Sequence, residues 1–418
     1  MARNFLTIDD VQMDGKTVLL RVDINSPIDP TDGKILDDTR MRHHIKTIKD
    51  LRRTKLVLLA HQSRPGKTDY VPLDQHARHL QKLLGQHVHY VDDLFGSSAK
   101  RAIKGLRTGE ILLLENTRFY AEEVALSGKA LEDQYNCHIV QELADLADFY
   151  INDAFAASHR LQPTLVGFAD HIPCAAGRLM EKELTMMDKL LHMKKKPRLA
   201  VLGGAKVDDT VDIIENMMKN DFVDKIITTG VVANVFITAE GYDLGKANMK
   251  FLHKEIDNCV ECIGKAGSLK KKYGDRIDTP DNLVINENGL RKVLIKSELP
   301  TEFPIYDIGL ESIAHCCNEI EKAASVVLNG PAGVFEMPNF ALGTVEILNA
   351  LGRTKAFTVA GGGHTAATLA QLGLAERIDH VSTGGGALIQ HLSGKTMPVV
   401  EALKCSKSNH DCGKYCKE

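Results

Sequence analysis

The sequence predicts an α/β fold: two doubly wound domains of about six mostly parallel strands each, joined by a helix. Short β-branched runs recur along the whole chain. Most of them are apolar throughout rather than alternating, which is the pattern of strands covered on both faces. Amphipathic stretches separate them. In LDQHARHLQKLLGQ, Leu73, Ala77, Leu80 and Leu84 share one helical face and Gly85 is placed to end the helix. Such alternation of strand and helix is the signature of an α/β architecture.

In order, the strand-like runs are TVLLRVDI (17–24), KLVLLA (55–60), HVHYV (87–91), EILLLEN (110–116) and DFYIND (148–153). They continue with RLAVLGG (198–204), KIITTG (225–230), NLVI (282–285), SVVLNG (325–330), KAFTVA (355–360) and IDHVSTG (378–384). These are too many for one open sheet, so they are divided between a first domain, 1–175, and a second, 176–395. The divider is EKELTMMDKLLHMKKKP (181–197). Leu184, Met187 and Leu191 form a helical stripe there, and Pro197 is expected to stop it.

Bulk properties narrow the function. A chain of 418 residues with 44% apolar content has ample core for two or three domains. A formal net charge of −3 provides no global field for nucleic acid or membrane, so an anion site must be local. The start, MARNFLTIDD, has no apolar signal core, and no apolar run approaches the ~18 residues of a membrane span. Nine scattered cysteines fit reduced thiols in a cytoplasm better than a disulfide framework.

Ligands of parallel α/β sheets bind beyond the carboxyl ends of strands, so the residues after each run matter most. The first half places Asp23, Asn25, His61, Gln62, Ser63, Arg64, Arg118 and Arg160 there, with Arg40 in the loop DDTRMR. Guanidinium forks grip carboxylate or phosphate at two points, so this set suits a small, multiply charged anion. The second half places GGAK, GGGHT and GGG after its runs. Bare backbone N–H groups at helix starts cradle phosphates, and Lys206 adds a point charge.

Three motifs fail or stay weak. RPGKT (64–68) and SGKT (393–396) lack the first glycine of a P-loop, because His61 and Ile389 stand in its place. Gly361-x-Gly363-x-x-Ala366 fits a loose dinucleotide fingerprint. The next strand, however, ends in Val381-Ser382 rather than in an acidic residue, which weakens an oxidoreductase reading. Cys259-x-x-Cys262 has no second pair nearby. The tail holds Cys405, His410, Cys412 and Cys416, enough for one zinc but irregularly spaced.

RVDINSP, HQSRPGK, ENTRF, NDAFAASHR, GGAKV, NGPAGVFE, GGGHTAA and STGGGA occur in the order found in the phosphoglycerate kinase family, which the chain resembles over about residues 17–395. The resemblance implies a two-lobed, hinge-closing, monomeric enzyme. It would move a phosphoryl group reversibly between 1,3-bisphosphoglycerate and ADP, giving 3-phosphoglycerate and ATP, with Mg2+. The first lobe would hold the glycerate through Asp23, Asn25, Arg40, His61, Gln62, Ser63, Arg64, Arg118 and Arg160. The second would hold the nucleotide through Lys206, Glu336, Gly361, Gly362, Gly363, His364, Thr365, Gly384, Gly385 and Gly386. Arg40 and Lys206 would neutralise the moving group, and the tail 396–418 would pack back on the first lobe. The family often has Lys at the position of Thr210, Trp at that of Leu328 and Asp at that of His364. The histidine is similar to the archaeal branch and implies that Mg2+ is held chiefly by phosphates.

Overall fold

The computed structural model describes residues 4–29 and 31–409. The chain divides into two compact units: one runs to Thr185 and takes in the segment from Thr396, and the other spans Met186–Lys395.

The first unit is built on a seven-stranded sheet. Its strands are β1 (Leu6–Thr7), β2 (Thr17–Arg21), β3 (Lys55–Leu59), β4 (Val88–Tyr90), β5 (Ile111–Leu113), β6 (Phe149–Asn152) and β7 (Cys174–Ala176). The order is β1-β7-β6-β2-β3-β5-β4, and every pairing is parallel. Leu19, Leu20, Val57, Leu58 and Ile151 are fully buried. Consecutive strand residues point to opposite faces, so both faces are covered, as the unbroken apolar runs require. Arg21 stands opposite Leu59 on one side and Asn152 on the other. The chains leaving these three strands therefore emerge side by side.

Between them, the helix Asp74–Leu84 ends at Gly85 in the left-handed conformation (φ 67°), as its sequence predicts. The helix Pro398–Asn409 belongs to the same unit. It buries Val399, Val400, Ala402 and Leu403, and its Ser406 Oγ accepts the N–H of Cys174 at 2.9 Å.

The second unit has a six-stranded parallel sheet of β8 (Arg198–Leu202), β9 (Lys225–Thr228), β10 (Ile277–Asp278), β14 (Ser325–Asn329), β15 (Phe357–Gly361) and β16 (His380–Val381). The order is β10-β9-β8-β14-β15-β16. Alternate residues feed separate cores: Ala200, Leu202 and Val327 on one face, Leu199, Val201 and Val326 on the other. Asn329 stands opposite both Leu202 and Gly361, so these carboxyl ends too are flush.

Two expectations need correction. NLVI does not join the parallel sheet. It lies in β11 (Asn282–Glu287), the centre of an antiparallel sheet with β12 (Leu290–Ile295) and β13 (Ile305–Ile308). The cause is the two-residue turn Asn288-Gly289, with φ of 55° and 91°, whose backbone twist returns the chain as a hairpin. The linking helix covers Arg178–Leu191, not 181–197. Asp153 Oδ1 accepts the N–H groups of Leu179 (2.8 Å) and Met180 (3.3 Å), so the helix starts early. Beyond Leu191 the lysine run offers no apolar stripe, so the helix ends before Pro197.

Candidate functional site: an arginine cup and a glycine cradle

At the carboxyl edge of β6, β2, β3 and β5, Arg21, Arg40, His61, Arg118 and Arg160 gather. Arg118 is pushed down to about 10 by burial, then by Arg160 and Arg21. Burial also lowers Arg160, and beside it Arg21 and Arg40 push down while Asp23 pushes up. Arg160 and Arg21 act on Arg118, and Arg21 and Arg40 act on Arg160, so positive charge is concentrated at this edge.

A polar scaffold holds this cup. Asp23 is buried; its Oδ2 accepts Arg40 Nη1 at 2.5 Å and its Oδ1 accepts the N–H of Asn25 at 3.2 Å. Asn25 Oδ1 accepts the N–H of Ser63 at 2.9 Å. Ser63 adopts φ 56°, a left-handed conformation that costs a non-glycine residue energy. Arg118 donates from Nη1 to the carbonyl of Ser63. Gln62 is fully buried and spent on Ser26, His76 and Asn116, so it shapes the loop. Arg64 is exposed at the loop tip.

The central strut went unread in the sequence. Arg21 sits in an apolar strand run, is fully buried, and donates to Thr164 Oγ1 (3.1 Å) and to His61 Nδ1 (3.0 Å). Thr164 Oγ1 in turn donates to Glu123 Oε1 at 2.6 Å. A guanidinium cannot accept, so Nδ1 of His61 must, and its proton lies on Nε2. Burial first, then Arg21 and its neighbours, hold His61 well below the usual histidine range. The ring is neutral, with an N–H to offer. Beside it, His44 bridges the cup: Nδ1 lies 2.7 Å from Asp153 Oδ2, and Nε2 accepts the N–H of Asp23 at 3.0 Å.

The second unit solves the same problem without side chains. Helices Val207–Lys219, Gly230–Ala239, Gly363–Gln371 and Gly385–Leu392 all start where β8, β9, β15 and β16 end, and none has a side-chain cap. Their first N–H groups and dipoles are the ingredients of a phosphate cradle. The loops are pressed together. A Cβ on Gly330 would lie 2.3 Å from the carbonyl of Gly203, and Gly362 holds φ 95°. A Cβ on Gly363 would meet nothing within 4 Å, so open space lies over the helix start. Gly385 packs against Gly362, which brings the two glycine segments together. Thr229 Oγ1, Asn329 Oδ1 and Thr365 Oγ1 are buried here with no hydrogen-bond partner among the described residues.

Lys206 is exposed beside the cradle and in no ion pair among the described residues. His364 is exposed at the helix start, its ring 5.4 Å from that of Phe335. A cavity of about 570 Å³ extends from Gly204, Gly230 and His364 past Glu336 to Leu283, Phe251 and Ile305. That volume suits a small-molecule ligand. Two family departures are absorbed locally: Thr210 Oγ1 donates to the carbonyl of Lys206 at 2.7 Å, and Leu328 is buried in the core.

The dinucleotide alternative loses its acid. Asp379 Oδ2 is spent at the opposite end of the sheet, on the N–H (2.8 Å) and Oγ1 (3.1 Å) of Thr358. Of the tail's metal candidates, Cys405 is exposed, while His410, Cys412 and Cys416 lie outside the described residues. No helix among the described residues is long and apolar enough to cross a membrane.

Comparisons with known proteins agree with this geometry. The family model described as phosphoglycerate kinase matches residues 8–395. The phosphoglycerate kinase of Thermoplasma volcanium is 46% identical over 404 residues, covering 97% of this chain and 98% of its own. That of Methanothermobacter thermautotrophicus is 48% identical, covering 96% and 97%. The crystal structure of phosphoglycerate kinase from Pyrococcus horikoshii superposes with a TM-score of 0.89 at 39% identity, covering 97% of this chain and all of its own. With its two parallel sheets, its arginine cup and its glycine cradle, this chain belongs to the phosphoglycerate kinase family.

Proposed function

We infer that this chain is a phosphotransferase that moves a phosphoryl group reversibly between 1,3-bisphosphoglycerate and ADP, giving 3-phosphoglycerate and ATP in glycolysis and gluconeogenesis. The observation that carries the reading is one chain with two chemically different candidate anion sites, a cup of clustered arginines and an apolar cavity ending in a glycine cradle. A module that only binds has no need of both. Coupled detection of ATP from bisphosphoglycerate and ADP tests it; nicotinamide-linked turnover of hydroxy acids without ATP formation would sink it.

Both nucleophiles, carboxylate and diphosphate, are already anionic at neutral pH, so no general base is needed. The work is alignment and cancellation of repulsion. Arg118, Arg160 and the Nε2–H of His61 bind the glycerate's charges, with Asn25, Ser63 and Arg64 lining its loop. Asp23 aims Arg40 and Gln62 shapes the backbone. Gly361, Gly362, Gly363, Thr365, Gly384, Gly385 and Gly386 receive the nucleotide phosphates, Glu336 the ribose, and His364 donates to a phosphate oxygen. Arg40 and Lys206 neutralise the phosphoryl group in flight. Direct transfer also requires exclusion of water, so the reading includes closure on substrates. Contraction in small-angle scattering with both substrates bound checks that step.

Mg2+ is expected with the nucleotide. Among the described residues no group of three or more His, Cys, Asp or Glu is placed to hold a metal. The residues therefore do not fit a protein-built cage. The ion would arrive on the phosphates with its waters. A monomer in the cytoplasm, acting on small molecules and not on nucleic acid or membrane, completes the proposal.

A further inference from the structure

Two histidines stand together on the outer edge of the first unit, away from the arginine cup. His87 and His89 flank buried Val88 at the start of β4, which is an edge strand of the seven-stranded sheet. Strand residues two apart point to the same face, and here both rings are exposed. Their centroids lie 4.4 Å apart, with planes nearly perpendicular at 89°.

One of the two is already oriented. His87 Nδ1 lies 2.7 Å from Oε1 of Gln81, on the helix Asp74–Leu84. The same oxygen faces the N–H of Val88 at 3.5 Å, a group that can only donate. The amide therefore presents its acceptor, and the proton of the neutral His87 ring sits on Nδ1. His89 makes no hydrogen bond among the described residues. Each neutral ring thus keeps one nitrogen lone pair that no donor among the described residues takes.

A ring whose second N–H is held by an oxygen is the usual state of a histidine bound to metal. The spacing fits as well. Metal–nitrogen bonds of about 2.0–2.1 Å put each ring centre roughly 3.2 Å from the ion, and two rings at right angles around it are then roughly 4.5 Å apart. Among the described residues no third His, Cys, Asp or Glu joins the pair, so water would complete the shell. Mg2+ prefers oxygen, whereas imidazole suits Cu2+, Ni2+ and Zn2+.

We propose that His87 and His89 chelate one nitrogen-preferring divalent transition-metal ion at the solvent edge of β4, with Gln81 as the positioning residue. The ion takes no part in phosphoryl transfer, since β4 is not among the strands whose carboxyl ends carry the cup. It stabilises the sheet edge by mass action. The test titrates Ni2+ into the full chain by calorimetry, with Mg2+ as the control. His87→Ala and His89→Ala should each weaken the binding of one ion by about tenfold or more, because either change removes the second nitrogen and its high effective concentration. The double variant should lose little beyond the single ones. Gln81→Met, which keeps both ligands, should weaken binding by about tenfold. Unchanged circular dichroism checks that the variants fold. In the wild type alone, one equivalent of Cu2+ should give an electron paramagnetic resonance spectrum with two nitrogen ligands. Sulfur ligation there would place the ion at a cysteine and overturn the proposal. Ni2+ affinity that survives both alanine substitutions, additive losses in the double variant, or equal competition by Mg2+ would overturn it too.

Discussion

The two proposed anion sites differ in what they are made of. The first unit would grip with side chains, and a charged side chain must be aimed by others. Asp23 aims Arg40, and Arg21 fixes the tautomer of His61. The second would grip with main chain, and a peptide N–H needs only that nothing stand before it. The contrast teaches that charge recognition by arginine requires a buried supporting network, whereas recognition by glycine requires close-packed loops. The first should fail by losing partners and protons, the second by gaining atoms.

The largest expected effect tests the buried strut. Arg21→Met removes the cation that supports buried Glu123 and His61, and should cost about 3–5 kcal/mol, as breaking one side of a buried charged network does. Urea denaturation measures it; a loss under about 1 kcal/mol would show that the cup stands without its strut.

Next come the two cations in proposed contact with the moving group. Arg40→Ala and Lys206→Ala should each lower kcat by about 10²–10³, or ~2.7–4 kcal/mol of barrier, with little change in stability. The comparison sharpens through Lys206. It has no scaffold, so Lys206→Arg should retain more activity than Arg40→Lys, which loses the fork that Asp23 aims. Losses under tenfold for the alanine variants would remove both from the mechanism.

A third difference is proton linkage. Burial lowers His76 from the usual 6.5 to about 4, and its Nε2 lies 3.1 Å from Gln62 Oε1. Above pH 6.5 the ring is neutral in both states and its contribution to stability is complete. As pH falls below 6.5 the unfolded chain takes up the proton and the folded one does not, so stability declines until pH approaches 4. Over the 1.5 units from 6.5 to pH 5 the loss is about 2 kcal/mol. Urea midpoints at pH 7 and pH 5 should separate, and the gap should narrow in His76→Gln. An unchanged gap would assign the effect elsewhere; His61, also buried, works in the same direction.

The smallest effect belongs to His364. Exposed at a helix start whose N–H groups would already face the phosphates in the proposed reading, it would add one donor to several. His364→Ala should raise the nucleotide KM by only about two- to fivefold, the worth of one exposed hydrogen bond. A hundredfold loss would mean that this side chain, and not the backbone, anchors the phosphate.

The long apolar runs became the strands they suggested because length and β-branching outweigh local alternatives. The strands that escaped notice are short or polar: Leu6–Thr7, Cys174–Ala176, Ile277–Asp278, Ile305–Ile308 and the alternating Leu290–Ile295. The hairpin signal Asn288-Gly289 lies in plain sight and accounts for the one misplaced run. Among the site residues, Arg21 was legible in principle, since a cation inside an apolar strand run demands a partner.

By itself the sequence determined the α/β class, the strand-end positions of the arginines and the bareness of the glycine bends, because these follow from periodicity and from which atoms a residue lacks. Only the tertiary structure decided which arginines share one edge and which nitrogen of His61 holds the proton. Those are properties of distance and burial between residues far apart in the chain, and no local pattern encodes them.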